Sequence, residues 1–177
     1  NFIETQHFLA FYPRYRVGFR CVSITGMSDR VSQRKTGKLL ALDVGLKRIG
    51  VAVCDPLRLA ARPLTVIHRR SRNDDFAELA TLVKQQEAEA VLCGLPLNMD
   101  GTTGPRVQAT QAFARNLEKL TDLPIVYWDE RLSTVAAERA LLEADTSRKR
   151  RKEVIDQVAA GYILQGALDR MAHLAMD

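Results

Sequence analysis

The 177-residue sequence has little of what usually braces small or unusual folds. Its three cysteines, Cys21, Cys54 and Cys93, are odd in number and form no C-x-x-C pair, which argues against a disulfide framework or a zinc ribbon. Cys54 and Cys93 each lie in or beside an apolar run and read as small buried hydrophobes. The three histidines, His7, His68 and His173, stand far apart without ligand spacing, so none is a catalytic candidate. No apolar run approaches the ~18 residues of a transmembrane helix, and no membrane partner is expected. The first 19 residues lack the charged, apolar and small-residue order of a secretory signal, so the expected compartment is the cytoplasm. There is no internal repeat, and no G-x-x-x-x-G-K-[ST] phosphate loop. What remains, 46% apolar and 27% charged residues, is the balance of an ordinary globular protein.

Charge is unevenly spread. Lys and Arg number 26 against 21 Asp and Glu, a net +5. Residues 1–37 hold six basic and two acidic residues, so they account for +4 and residues 38–177 for only +1. The early segment has no clear helical or strand period and ends in a polar, breaker-rich stretch from Gly26 to Gly37. Residues 1–37 therefore read as an extension, poorly ordered or foreign to the domain, and residues 38–177 as one compact domain.

From Lys38 the pattern changes. Leu39-Leu40-Ala41-Leu42 is a short apolar run suited to a strand buried on both faces. Gly45 interrupts it, and Ile49 to Cys54 predicts a second strand forming a hairpin with the first. Pro63 to His68 gives a third strand. Phe76, Leu79, Ala80, Leu82 and Val83 fall at helical spacing, with Asn73 a candidate N-cap. Ala90 to Cys93 predicts a fourth strand ending at Gly94, then a polar loop to Gly104 and a helix opened by Pro105. Ile125 to Trp128 predicts the fifth strand. A helix capped by Ser133 is expected to run through Leu142, and a last helix from about Glu153 to about Leu174. Three sequential strands followed by alternating helix and strand indicate an α/β fold, a mixed five-stranded sheet flanked by helices.

Three acidic positions stand out by their place in this pattern. Asp43 ends the first strand, Asp129-Glu130 end the fifth, and Asp156 lies early in the last helix. A carboxylate at the edge of an apolar strand needs a partner, because burying it alone is costly. If these acids converge, divalent cations between them would relieve their repulsion, and an oxygen-only donor set suits Mg²⁺ or Mn²⁺. Two such ions ~3.5–4 Å apart would clamp the attacking and leaving oxygens of a phosphodiester. Each acid also has a plainer reading: Asp43 as a turn residue, Asp129-Glu130 as a solvated strand end, Asp156 as a favourable charge in a helix's first turn.

The residues around the acids carry a resemblance. Asp43-Val44-Gly45-Leu46-Lys47-Arg48-Ile49-Gly50-Val51-Ala52 resembles the first motif of the YqgF/RuvX family, bacterial proteins described as pre-16S rRNA nucleases or Holliday junction resolvases. The stretch from Gly94-Leu95-Pro96-Leu97-Asn98 to Gly104-Pro105-Arg106 resembles its second motif, and Trp128-Asp129-Glu130-Arg131-Leu132-Ser133-Thr134 its third. Lys152 to Leu164, with Ile155-Asp156 and Ala159-Ala160, resembles the fourth. The resemblance implies an RNase H-like fold and metal-dependent cleavage of nucleic acid. It carries the catalytic and metal-binding roles onto Asp43, Glu130 and Asp156, with Asp129 in reserve should Glu130 point away. The segment before Lys38 lies outside the family pattern.

Several basic and polar residues in these motifs suit phosphate handling. Lys47 and Arg48 fall in the turn after Asp43, as a phosphate grip or as a solvated turn. The loop from Asn98 leads to a helix N-terminus that favours an anion, and Arg106 lies in that first turn, where a cation opposes the dipole and gains little structurally. Arg131 can pair with an acid or meet the scissile phosphate. Arg148-Lys149-Arg150-Arg151-Lys152, five bases leading into the helix of Asp156, read as an electrostatic contact for backbone phosphates or as a solvated loop.

Three functions compete. The first is a nuclease maturing the 5′ end of pre-16S rRNA in ribosome biogenesis; the second is a Holliday junction resolvase acting on branched DNA. The third is a non-catalytic RNA-binding assembly factor. An actin-like ATPase shares the Asp-x-Gly turn but needs two such domains, and this chain has room for one. A resolvase requires paired sites and hence a homodimer, whereas an rRNA nuclease can act as a monomer.

Overall fold

A computed structural model describes residues 37–132, apart from Met99 and Asp122, and residues 148–174, with the side chains of 132, 148–157 and 174 outside the description. The expected extension, except Gly37, and the helix expected from Ser133 to Leu142 therefore lie outside the described residues. Five strands form one sheet: β1 (Lys38–Val44), β2 (Arg48–Cys54), β3 (Ala61–His68), β4 (Ala88–Leu95) and β5 (Ile125–Asp129). Helices α1 (Arg72–Gln86), α2 (Pro105–Glu118) and α3 (Arg148–Leu174) complete the described elements, with a short 3-10 turn at Glu130–Leu132.

The strand order is β3-β2-β1-β4-β5. β1, β2 and β3 form the antiparallel meander expected from their close spacing, and β4 and β5 add in parallel to β1 through helical crossovers. Pro63 is tolerated because β3 is an edge strand, and the ladder shifts register between Val51 and Ala52 as it meets this residue without an N–H.

Strand alternation divides the core in two. Leu40, Leu42, Ile49, Val51, Val53 and Ile67 point to the face covered by α1 and α2, where Phe76 meets Phe113 with ring centroids 4.9 Å apart. Leu39, Ala41, Ala52, Ala90, Leu92, Val126 and Trp128 point to the other face. There α3 lays down Ala159, Ala160, Ile163, Leu164, Ala167 and Leu168, a stripe at helical spacing. Gln165 pins α3 to the sheet edge, its Oε1 accepting from the Ala61 amide at 2.9 Å.

The starts of two helices differ from the sequence expectation. The cap of α1 is Ser71, not Asn73: its hydroxyl accepts from the Asp74 amide at 3.1 Å and donates to the Asp74 carboxylate at 2.7 Å. This reciprocal S-x-x-D pair satisfies the helix start two residues earlier than Asn73 would. The last helix begins at Arg148, so the basic run occupies its opening turns instead of a preceding loop. Lys and Arg are good helix formers, and their unfavourable meeting with the dipole is too weak to unwind them.

Candidate active site

The carboxyl-terminal ends of β1, β3, β4 and β5 share one rim of the sheet, and the candidate residues gather there. Asp43, one residue before the end of β1, follows Leu39 and Ala41 on the α3 face and is buried. Its cross-strand partner on β2 is Gly50, so no side chain crowds it from that side. The parallel register Leu42↔Cys93 brings Gly94 next in line on its other flank.

Glu130 leaves β5 on the same face and is also buried, at 8% exposure. A Cβ on Gly94 would lie 2.7 Å from Glu130 Oε1 and 2.5 Å from Ile163 Cδ1 of α3. The glycine therefore keeps open the space into which the Glu130 carboxylate folds. The rim thus holds two desolvated carboxylates on one sheet face, separated by a strand end without a side chain. Donors of this kind fit a hard divalent cation, since all are oxygen and both carry the charge a cation would offset. Asp156 lies in α3 three residues before Ala159, and its side chain is outside the described residues. Among the described residues no group of three or more His, Cys, Asp or Glu side chains converges.

Asp129 is otherwise engaged. Its carboxylate takes the Arg131 guanidinium in a forked pair, Nη2 to Oδ2 at 2.6 Å and Nε to Oδ1 at 3.0 Å, and accepts from the Arg131 amide at 3.0 Å. Of the two roles open to Arg131, pairing with an acid is the one seen here. The same guanidinium acts on the loop after β4: the Asp100 carboxyl is held below its ordinary range chiefly by the Thr102 hydroxyl and amide, with a smaller contribution from Arg131.

That loop is tightly built. The Asn98 side chain donates to Thr102 Oγ1 at 2.8 Å, and the Asn98 amide donates to the Thr102 carbonyl at 3.1 Å. Gly101 takes φ +83°, a left-handed conformation costly for other residues, and its N–H closes onto the Asn98 carbonyl at 2.8 Å. Asn98 thus shapes the loop leading to α2, whose Gly104 cap leaves the first-turn N–H groups without a side-chain acceptor. Arg106 is exposed in that first turn, as expected, and forms no ion pair with a described residue.

Lys47 is exposed in the Gly45–Lys47 turn, and Arg48 opens β2 beside it. The Gly45 amide donates to the Arg48 carbonyl at 2.9 Å, closing the turn. A residue that the sequence does not single out fastens it from outside: Arg69 donates from its amide to the Lys47 carbonyl and from Nη1 to the Gly45 carbonyl, both at 3.0 Å. Its Nε meets buried Asp75 at 3.1 Å, and its guanidinium lies 5.5 Å from the centre of the Phe113 ring. An acid in the first turn of a helix normally reads as a dipole partner, which hid the pairing of Asp75 with Arg69. The side chains of Arg148, Lys149, Arg150, Arg151 and Lys152 lie outside the described residues.

Comparison with known proteins bears on the family and the fold. Residues 37–170 match the family model described as RuvX, Holliday junction resolvase. A Rhodobacter capsulatus protein named as a pre-16S rRNA nuclease is 60% identical over 150 residues, 84% of this chain and 94% of that protein. A Paracoccus denitrificans protein of the same name is 64% identical over 140 residues, 79% of this chain and 89% of its own length. Among solved structures, Thermus thermophilus RuvC in complex with a Holliday junction substrate superposes with a TM-score of 0.50 at 14% identity, covering 76% of this chain and 96% of that one. The last likeness is one of fold, in keeping with the RNase H-like fold that the motif resemblance implies. With the family model spanning all four motifs and relatives at this level of identity, the chain belongs to the RuvX family.

Proposed function

We propose that this chain is a metal-dependent nuclease that cleaves phosphodiesters in structured nucleic acid, with the 5′ end of pre-16S rRNA as its substrate. The observation that carries the reading is the pair of buried carboxylates, Asp43 and Glu130, facing one side of a glycine-lined strand end on a rim bordered by Lys47, Arg48, Arg106 and Arg131. The names of the 60% and 64% identical relatives favour the rRNA substrate.

Asp43, Glu130 and Asp156 are the residues that would hold Mg²⁺ or Mn²⁺. Bound there, one or two such ions supply an activated water and offset the charge that builds on the phosphate. Asp43 and Glu130 bring fixed negative oxygens at low solvent exposure, where their hold on a cation is strongest. Lys47 and Arg48 lie in the turn directly after Asp43 and grip a phosphate next to the acids. The bare N-terminus of α2, with Arg106 beside it, takes a second phosphate across β4. Asp129 holds the Arg131 guanidinium in a forked pair next to Glu130, so a substrate phosphate would have to compete with that carboxylate for it. The basic residues 148–152 at the start of α3 add attraction that depends on salt.

The test is Asp43→Asn with a pre-16S rRNA fragment and a synthetic four-way DNA junction, each assayed with Mg²⁺, with Mn²⁺ and with EDTA. Cleavage of the rRNA fragment should disappear in the variant and in EDTA, while melting temperature and RNA binding stay near wild type. Full activity in Asp43→Asn would falsify the site. The second reading, a junction resolvase, follows the description of the family model, and cutting of the junction alone would establish it. Binding without any cutting would mark an assembly factor.

A further inference from the structure

The rim continues past the active site in the direction of the edge strand, and there it changes character. The segment joining β3 to α1, His68-Arg69-Arg70-Ser71-Arg72, carries three arginines and no acid. In the sheet order β3-β2-β1, its first residue is the ladder partner of Arg48, and the Arg69 amide bonds the Lys47 carbonyl. It therefore lies two strand spacings, about 9–10 Å, from the strand of Asp43 on the same rim.

The segment is built to present charge outward. Arg69 faces inward, held by buried Asp75, the Gly45 carbonyl and the Phe113 ring, and is spent on structure. Asp75 also accepts from the Arg70 amide at 3.1 Å, and Ser71 caps the helix through Asp74, so the backbone on both sides of Arg70 is pinned. Of the three nearby acids, buried Asp75 is taken up in holding the backbone, and exposed Asp74 bonds the Ser71 hydroxyl. The third, Glu78, meets Arg70 at 3.5 Å across an exposed contact, which a phosphate can readily displace. Arg72 is exposed and forms no ion pair with a described residue, although it sits in a helix's first turn, where a cation weakens the helix. His68 and Lys47 are exposed at the end of the segment nearer the active site.

We infer that Lys47, His68, Arg70 and Arg72 form a phosphate-binding surface that carries one arm of the nucleic-acid substrate away from the acids and over the β3 edge. The direction of the track rests on the nuclease reading, but the surface is defined by charge and rigidity alone. Arg70 and Arg72 are its far contacts and Lys47 its junction with the active site. The partner is a nucleic-acid backbone, read mainly through its phosphates, since three of these four residues are cationic and none is Phe, Tyr or Trp.

The test is the double variant Arg70→Gln/Arg72→Gln, with Arg62→Gln as control. Arg62 is exposed on β3, the strand that leads into this segment, but pairs with Val53 at the opposite end of the sheet. Binding of a labelled pre-16S rRNA fragment is measured across a salt series, together with steady-state cleavage and melting temperature. The double variant should lower the slope of log Kd against log salt by about 0.7–0.9 for each phosphate no longer neutralised. It should raise KM severalfold and leave kcat and melting temperature near wild type. Trimming the fragment on one side of the cut should abolish the difference between wild type and variant, and trimming on the other side should not. An unchanged slope, or an equal fall with Arg62→Gln, would overturn the surface. If wild type binds with the expected slope but cuts nothing, the nuclease reading fails and the surface stands.

Discussion

The two faces of the sheet are packed with different residues and do different work. Under α1 and α2 the strands present Leu, Ile and Val, and Phe76 and Phe113 fill the space between helix and sheet. Under α3 alanines interleave with larger side chains on both sides of the packing, Ala41, Ala52 and Ala90 facing Ala159, Ala160 and Ala167. The apolar face under α1 and α2 continues to the rim with Val44 and Leu97 packed against it. The α3 face stops being apolar at the rim, where it carries Asp43, Gly94 and Glu130. One side is spent on stability; the other gives up packing at one end to hold two carboxylates.

That contrast can be broken from either side. The largest effect on stability should come from Phe113→Ala, which empties the α1–α2 face and removes the ring under Arg69. It should cost about 3–5 kcal/mol in chemical denaturation, with turnover per folded molecule little changed. Loss of turnover on the scale seen in Asp43→Asn would show that this face is not purely structural. Gly94→Ala should do the reverse. Its methyl meets only the flexible tips of Glu130 and Ile163, so the cost to stability is about 1–3 kcal/mol. Cleavage should nevertheless fall far more than the loss of folded protein explains, because the carboxylate must move. Near-normal kcat in a folded Gly94→Ala protein would remove Glu130 from the site.

The smallest effect concerns the two described cysteines, one on each face. Burial pushes the Cys93 thiol from 9.0 up to about 12, with a lesser contribution from Glu118, and burial likewise raises Cys54. The folded state holds the Cys93 proton where the unfolded chain releases it. Its contribution to stability is therefore complete below about pH 9 and fades as the pH climbs towards 12. At pH 8 iodoacetamide should label both cysteines only after urea unfolding, as read by mass spectrometry. Rapid labelling of either in the native protein would mean that its face opens to solvent.

Much of the fold could be read in advance because its signals are local. The five apolar runs, Gly45 between the first two, and Pro105 at a helix start each act within a few residues, and the strands appear where those signals stand. Asp43 and the Asp129-Glu130 pair stand out by the same logic, as acids at the ends of apolar strands, and only the motif resemblance selects Glu130 from that pair. The sequence does not fix the cap of α1, because Asn73 and Ser71 have similar capping chemistry and only the reciprocal bond with Asp74 separates them. The roles of Arg69, Asp75 and Asp129 were not legible. Each depends on a partner whose direction is set by the fold: a carbonyl on another turn, an arginine arriving from a strand end, a forked pair within a 3-10 turn.

The sequence by itself determined the element types, the alternation that assigns each residue to a sheet face, and the family, since periodicity and motif spacing are properties of the chain. The tertiary structure decided which charges are spent and which are presented. Asp129 neutralises Arg131, Asp75 holds Arg69 inward, and Gly94 leaves room for Glu130, while Arg70 and Arg72 are turned outward. A charge is fixed by its residue, but its burial and its partner arise only when distant strand ends meet on one rim.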